Sequence, residues 1–492
     1  MAQSADNPVA PPSRSPSWLM LMLLVLAFAG VRLAGLFGDL WLDEIWSLRM
    51  VEQIKSPAEI FTRLQHDNNH PLNSLYLYAV QPAEAGWVYR LFAWVTGSLA
   101  VGLAALIAHR LALRTGAGAS APVAAVMTAL LTGGSYLLVH YASEARGYAP
   151  VVFFALLGFY ALLRAEAAPR MRWVAVYVAA CVGGLLSHLA MLQVMLGGLA
   201  WSLVALWPRR KEWRQAWAVP AWLHAPVWTF ALVYYFGFVR HMEIGGGPEH
   251  RLIPVLGETA AHLLGLSVAV GGPLALPLLF ACVVVTLGLM ACRDARLAVF
   301  LALVIMVTPA VGLLGSDFTL LFPRYFILSA AFALLPLGWG LARLWLRGGP
   351  VRWGVALLLA AFLTGNGFSV WRLADVGRGQ YREAIRWLAQ ASPQADIAVS
   401  SDHDFRNHAV IDFYQPAVGP GRRLFYVPAD RVPRQGVHWL LLHRLDGEAP
   451  PASDVVADVH GNRYVRMQRF RHAALSGWDW HVYRHERLRP VP

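Results

Sequence analysis

The amino-acid sequence predicts an all-α polytopic membrane protein that ends in a small α/β domain. Three observations carry that expectation. Of the 492 residues, 57% are hydrophobic and 14% charged, against roughly 25% charged in an ordinary soluble domain, and the mean hydropathy is +0.47. Apolar stretches of about 20 residues, the length that crosses a bilayer, recur from Trp18 to Trp371. After Trp371 the composition turns mixed and polar and stays so to Pro492.

The elements follow in order. A Pro/Ser-rich tail over 1–16 carries Arg14 and precedes an apolar run from Trp18 to about Phe37. That run is long for the apolar part of a signal peptide, and no small-x-small cleavage site precedes the acidic loop behind it, so it reads as a retained anchor. Further spans are expected near 88–109, 120–140, 148–165, 172–188, 189–207, 215–239, 271–291, 297–315, 325–345 and 352–371, about eleven with the first. The unbroken stretch 172–207 has the length of two spans and is divided at Ser187 and His188.

The links set the orientation. Those after every second span are rich in arginine: "HRLALRTG", "RAEAAPRMRW", "PRRKEWR", "CRDAR" and "RLWLRGGPVRW". Cytoplasmic loops collect positive charge, so the N-terminus is expected inside and, after an odd number of spans, the C-terminus outside. The chain then divides into a cytoplasmic tail 1–16, a transmembrane domain 17–371 with a first outer loop 38–87, and a periplasmic domain 372–492. The net charge of +12 sits mostly in those links. No basic stripe interleaved with aromatics stands apart from the spans, which argues against a nucleic-acid partner. Cys181, Cys282 and Cys292 lie in or beside apolar runs without CxxC spacing, so neither a disulfide framework nor a cysteine zinc site is indicated.

The tail opens with "RGQYREAIRWLAQASPQADIAVS", where Ala384, Ile385, Leu388 and Ala389 fall at helical spacing before a short buried strand. "RLFYVP", "HWLLLHR", "RYVRMQRF" and "DWHVYR" read as further strands between Gly, Pro and Asp turns. Nothing in this part forms a complete catalytic set, and a lid or acceptor-docking module is the expectation.

Chemistry concentrates in the outer loops. "GDLWLDEIWSLRM" places Asp39, Asp43 and Glu44 directly after the first span, among Trp41, Leu42, Ile45 and Trp46. If the stretch opens an interfacial helix, Asp39 and Asp43 share a face at i and i+4 while the aromatic residues lie in the headgroup layer. A solvated acidic flank on an aromatic belt is the competing reading. "HDNNHPLNSLYLY" continues the loop, with Pro71 in a helix first turn and Asn69 or His70 as its cap. His66 and His70 are four apart, a spacing that can bring two imidazoles together but lacks a third ligand for zinc. "HYASEARGYAP" puts Glu144, Arg146 and Tyr148 at a membrane boundary, and "GSDFTLLFPRYF" does the same with Asp317, Arg324 and Tyr325. Singly these read as snorkelling arginines and aromatic belts; together they gather carboxylates, guanidiniums and tyrosines on one membrane face.

"WLDEIWSL", "HPLNSLYLY", "YASEARGYA" and "FPRYFIL", in this order and before a soluble tail, resemble the GT-C superfamily of membrane glycosyltransferases. The nearest branch is similar to dolichyl-phosphate-mannose protein mannosyltransferases and aminoarabinose lipid A transferases, glycosyltransferase families 39 and 83. The layout covers nearly the whole chain and the motifs about a tenth of it. "HPLN" stands where the family usually reads His-Pro-Pro-Leu, which touches the acceptor site more than the fold.

The resemblance implies a GT-C fold and an inverting transfer. A sugar moves from a polyprenyl-phosphate-linked donor to a hydroxyl of lipid A, an envelope glycan or a protein on the outer face of the bacterial inner membrane. Asp43 matches the family's catalytic aspartate, with Glu44 orienting it or binding the donor sugar and Asp39 as the substitute. Arg146 and Arg324, with Lys55 and Arg63 behind them, are the candidates for the donor phosphate. His70, Asn69, Glu144, Tyr148 and Tyr325 are the candidates for substrate contact. Some relatives hold a divalent cation and others work without one; His70 and Glu144 are the positions for it here. An envelope-glycan ligase or polymerase is the alternative enzyme, although its key arginines and histidines are expected in a late, large outer loop. A lipid-linked sugar flippase or transporter would instead need ionisable groups near mid-membrane and an internal repeat, and no repeat is visible.

Overall fold

A computed structural model describes residues 18–168, 170–207, 218–247, 249–314 and 321–487. The N-terminal tail with Arg14, the 208–217 link and Asp317 lie outside them. Among the described residues, seven helices are long and apolar enough to cross a membrane: Trp18–Gly35, Trp87–Arg114, Tyr148–Ala167, Ala218–His241, Gly271–Ala291, Pro323–Trp345 and the one that begins at Gly349 and runs to Val376. The expected spans near 120–140, 172–188, 189–207 and 297–315 are formed by shorter apolar helices, Gly118–Gly134, Met171–Ser187, Met191–Leu206 and Ala295–Val307. The chain is thus a multi-pass membrane protein. One more apolar helix, Leu252–Leu264, is about 20 Å long at 1.5 Å per residue and falls in the loop between spans.

The helix expected over 120–140 breaks at Ser135, whose ψ of 122° is extended, leaving Ala121–Gly134 and Tyr136–Tyr141. The break is held from outside the segment. The Asn366 Oδ1 accepts the Tyr136 N–H at 2.6 Å, and the buried Arg32 guanidinium donates to the freed carbonyls of Thr132 and Gly133 at 3.2 and 3.3 Å. Helix ends leave carbonyls without intrahelical partners, and here an arginine from the first span meets them.

Two helices of the loop after the first span frame the site. Helix α1, Leu42–Glu52, follows the first span, and helix α2, Pro71–Val80, begins with Pro71 in its first turn and His70 as N-cap residue. A parallel bridge joins His66 to Glu243, so the first loop and the 240–246 segment hold each other.

Beyond residue 376 lies helix α3, Tyr381–Ala391, with Ala384, Ile385, Leu388 and Ala389 buried. Strands β1, Asp396–Ser401, β2, Arg423–Tyr426, β3, Trp439–Arg444, β4, Val455–Ala457, β5, Arg463–Phe470, and β6, Asp479–His485, form a sheet of order β2-β1-β3-β6-β5-β4. β1 pairs in parallel with β2 and β3, and the remaining pairs are antiparallel. Helix α4, Asp404–Tyr414, crosses between β1 and β2. β4 has no counterpart among the strands read from the sequence; it is three residues long and partly exposed.

This domain shares a core with the loop after the first span. Trp41, Ile45 and Leu48 of the loop belong to one buried cluster with Tyr381, Ile385, Tyr414, Trp439 and Trp480. Burying each such side chain is worth about 1.5–3 kcal/mol. Polar contacts join the domain to that loop and to the membrane helices. The Tyr414 hydroxyl donates to Leu40 O at 3.0 Å, the Tyr136 hydroxyl to Ala474 O at 2.7 Å, and Ala473 N to Gly377 O at 2.8 Å. Gly477, at φ +88°, lies so close to the Arg378 carbonyl that a β-carbon there has no room.

Candidate functional site

A cavity of about 600 Å³ opens between the loop after the first span and the membrane helices. Its polar wall holds Asp43, Asn68, His70, Arg146, His188 and Arg324, and its apolar wall Leu185, Leu189, Tyr234, Val239, Ile244 and Phe322.

Helix geometry separates the two adjacent acids of α1, because successive side chains point about 100° apart. Asp43 faces the cavity and is 13% exposed; its Oδ2 lies 3.5 Å from Arg324 Nη2 and 3.8 Å from Arg146 Nη2. Glu44 turns inward and is 0% exposed. It accepts from Arg90 Nε at 2.7 Å and Nη2 at 2.6 Å, from Trp41 N at 3.2 Å and from Ala145 N at 2.8 Å. The bond to Trp41 N is half of a capping box closing the helix start. Burial alone would raise the Glu44 pKa, but the charge and hydrogen bonds of Arg90 outweigh it and hold the carboxyl below its ordinary range. Arg90 also donates to the carbonyls of Gly35, Leu36, Gly38 and Asp39. Glu44 therefore positions α1 rather than facing the cavity.

Asp39 does not share a face with Asp43, because the helix begins only at Leu42. Its carboxylate accepts the Arg382 N–H at 2.8 Å and lies 3.6 Å from Arg382 Nε, tying the loop to α3. Burial raises its pKa, with the Arg382 contacts opposing.

Arg146 is 3% exposed. It bonds the Asn68 Oδ1, reaches Ser47 Oγ at 3.5 Å and Tyr148 OH at 3.4 Å, and its Nε has no protein partner. Arg324 lies 4.1 Å over the Phe322 ring and 5.7 Å from the Tyr325 ring centroid, and its Nε is likewise unpartnered. Asn68, which the motif reading passed over, organises this wall: its Nδ2 donates to Ser47 Oγ at 3.0 Å and Asp43 O at 3.2 Å. The doubled asparagine in "HDNNHP" was its only sequence signal.

Asn69 is turned into the loop, donating to Ile60 O and Leu64 O at 2.9 and 2.7 Å and accepting from Ser74 Oγ. His70 stacks on His188 at 5.4 Å and meets Tyr148 edge-on at 5.4 Å. It bonds the Ser187 carbonyl, and its Nε2 is unpartnered. Burial, then the charge of Arg146, pushes the His70 pKa well below the usual histidine range, so the imidazole is neutral. Burial and both arginines push His188 down to about 4. His66 lies apart from His70, against Asp67 at 2.8 Å and the Trp46 ring at 4.4 Å.

Glu144 is fully buried. Its Oε2 accepts from Ser476 Oγ at 3.1 Å and lies 3.6 Å from His140 Nε2 and 3.7 Å from Arg378 Nε. Burial raises its pKa, with Arg378 opposing. It sits behind the cavity wall, against the C-terminal domain. Lys55 and Arg63 are exposed away from the cavity, and Arg63 pairs with Glu59 at 2.7 Å. Among the described residues the group of three side chains able to hold a metal is Glu258, His262 and Asp446, which includes neither His70 nor Glu144. Around Asp43 the close charged partners are guanidiniums rather than further ligands.

Spanning helices over a loop that sets Asp43 between two arginines, followed by a mixed sheet domain, make up the fold of this chain. The comparison with solved structures shows that fold over nearly the whole chain. ArnT from Cupriavidus metallidurans in the apo state matches 96% of this chain and 99% of its own at a TM-score of 0.50 and 13% identity. The same protein bound to undecaprenyl phosphate matches at 0.49 and 14%, with the same coverage. The oligosaccharyltransferase of Archaeoglobus fulgidus, in complex with Zn and sulfate, matches 86% of this chain and 67% of its own at 0.45 and 13%. No family model and no curated protein matches the sequence. At these identities the likeness is one of fold.

Proposed function

We propose that the protein is an inverting glycosyltransferase of the outer face of the bacterial cytoplasmic membrane, moving a sugar from a polyprenyl-phosphate donor to an acceptor hydroxyl. The observation that carries this reading is Asp43 facing a cavity of about 600 Å³ between Arg146 and Arg324. The reaction needs a base for the acceptor proton and positive charge for the departing phosphate. Arg146 and Arg324 are buried cations with unpartnered Nε–H groups, suited to a phosphate oxygen. As they turn to the phosphate, their charge is drawn off Asp43 and its Oδ2 is free to accept the hydroxyl proton. The acceptor oxygen bonds the anomeric carbon as the bond to the phosphate oxygen breaks, and the lipid phosphate leaves with the electron pair. The apolar wall beside His188 and Tyr234 fits a prenyl chain, and neutral His70 can accept a sugar hydroxyl.

The test compares envelope glycolipids and glycoproteins by mass spectrometry in wild type, a deletion strain and Asp43→Asn. Purified protein in detergent is assayed for donor turnover alongside. The variant should reach the membrane at normal levels and reproduce the deletion's missing sugar. Full turnover by Asp43→Asn would sink the base assignment, and a wild-type protein without donor turnover would favour a transporter.

A further inference from the structure

Helix Leu252–Leu264 leans on the turn that carries Arg324: Val255 shares a buried cluster with Leu321 and Phe326. At its other end, Ser135 Oγ donates to Leu263 O at 3.2 Å, and the His262 ring lies 5.5 Å from that of Tyr136. There His262 is 93% buried by side chain, at 7% relative exposure, and its Nε2 has no hydrogen-bond partner. That nitrogen points between two carboxylates, Glu258 Oε1 at 3.9 Å and Asp446 Oδ2 at 4.0 Å. The first is one turn back on the same helix. The second sits at 43% exposure on the turn after β3 in the C-terminal domain.

A buried nitrogen left without a partner is rare and calls for an explanation. These distances are too long for hydrogen bonds yet bring the ligand atoms within 4.8 Å of one another. We infer that Glu258, His262 and Asp446 form a zinc site that staples this helix to the C-terminal domain. One imidazole nitrogen and two carboxylate oxygens are a borderline-soft donor set that suits Zn²⁺ better than Mg²⁺. A cation about 2.1 Å from each ligand draws the three atoms toward one another, and the half-exposed Asp446 leaves a fourth position to water. The site lies outside the Asp43 cavity and does not depend on the proposed function.

The experiment uses tag-free full-length protein in detergent, stripped with EDTA, dialysed and titrated with Zn²⁺ alone. Metal is counted by mass spectrometry and thermal unfolding is followed. The expected result is one zinc per chain and a rise in Tm, with Mg²⁺ giving neither. Asp446→Asn, on a solvent-facing turn, and His262→Gln should each weaken zinc binding by more than tenfold, while Asp43→Asn binds as wild type. Substoichiometric zinc in the wild type, or unchanged binding in both ligand variants, would overturn the site.

Discussion

Asp43 and Glu44 are neighbours in sequence with different work, and substitution separates them. Asp43→Asn keeps nearly the same shape and leaves Arg146 and Arg324 in place. It should unfold at the wild-type temperature yet lose about 10²–10⁴-fold in donor turnover, the usual weight of a positioned base. Glu44→Gln leaves Arg90 buried without its counter-charge, and breaking such a pair costs about 3–5 kcal/mol. Its signature is a marked drop in Tm or in membrane yield, measured by thermal unfolding and quantitative blotting. Adjacency of the two acids was legible in the sequence. Which of them turns inward was not, because that depends on Arg90, 46 positions away at the head of an apolar run. Asn68 was equally hidden, since its role exists only once Arg146 arrives from a loop 78 residues away.

Among the elements, spanning segments and strands were legible because burial writes itself as long apolar runs or short alternating ones. Breaks are less visible. Gly133-Gly134-Ser135 marks the interruption after the fact, but the partners that stabilise it, Asn366 and Arg32, come from other helices. The wall around Arg146 is a second product of several elements. Asn68→Ala should leave the fold intact and free the guanidinium to wander, and since displacement of about 1 Å can cost about 10²-fold, donor turnover should fall by that order with little change in Tm. The turn at 187–190 should make the protein acid-sensitive. Folded His188 holds its pKa near about 4 against an ordinary 6.5. Below about 6.5 the unfolded chain therefore binds a proton that the folded chain refuses, and stability is lost as pH falls from there toward about 4. Thermal unfolding from pH 7 to 4 should show the loss, and His188→Gln should make it shallower.

For the whole molecule, the shared core of the first loop and the sheet domain means the two do not fold apart. A chain ended after Val376 would expose Trp41, Ile45 and Leu48, which the domain covers. It should aggregate or be degraded, visible as loss of the monodisperse peak in size-exclusion chromatography; a stable, active truncation would refute this. Composition divides the chain only into a spanning part and a soluble part. It had no access to the seam, because Asp39 to Arg382 and Tyr414 to Leu40 join residues more than 340 positions apart.

The knot of Glu44 and Arg90 has a consequence for how variants of this chain will be read. Arg90 reaches two carboxylate oxygens and four carbonyls at once, a set that lysine, with three donors on a single nitrogen, cannot reproduce. In a survey scored only by growth or by the sugar product, positions 44 and 90 will tolerate as little change as position 43 and will be rescued only in concert, as an epistatic pair. Intolerance there reports architecture. Only counting the protein alongside its product will tell the scaffold's acid from the proposed base.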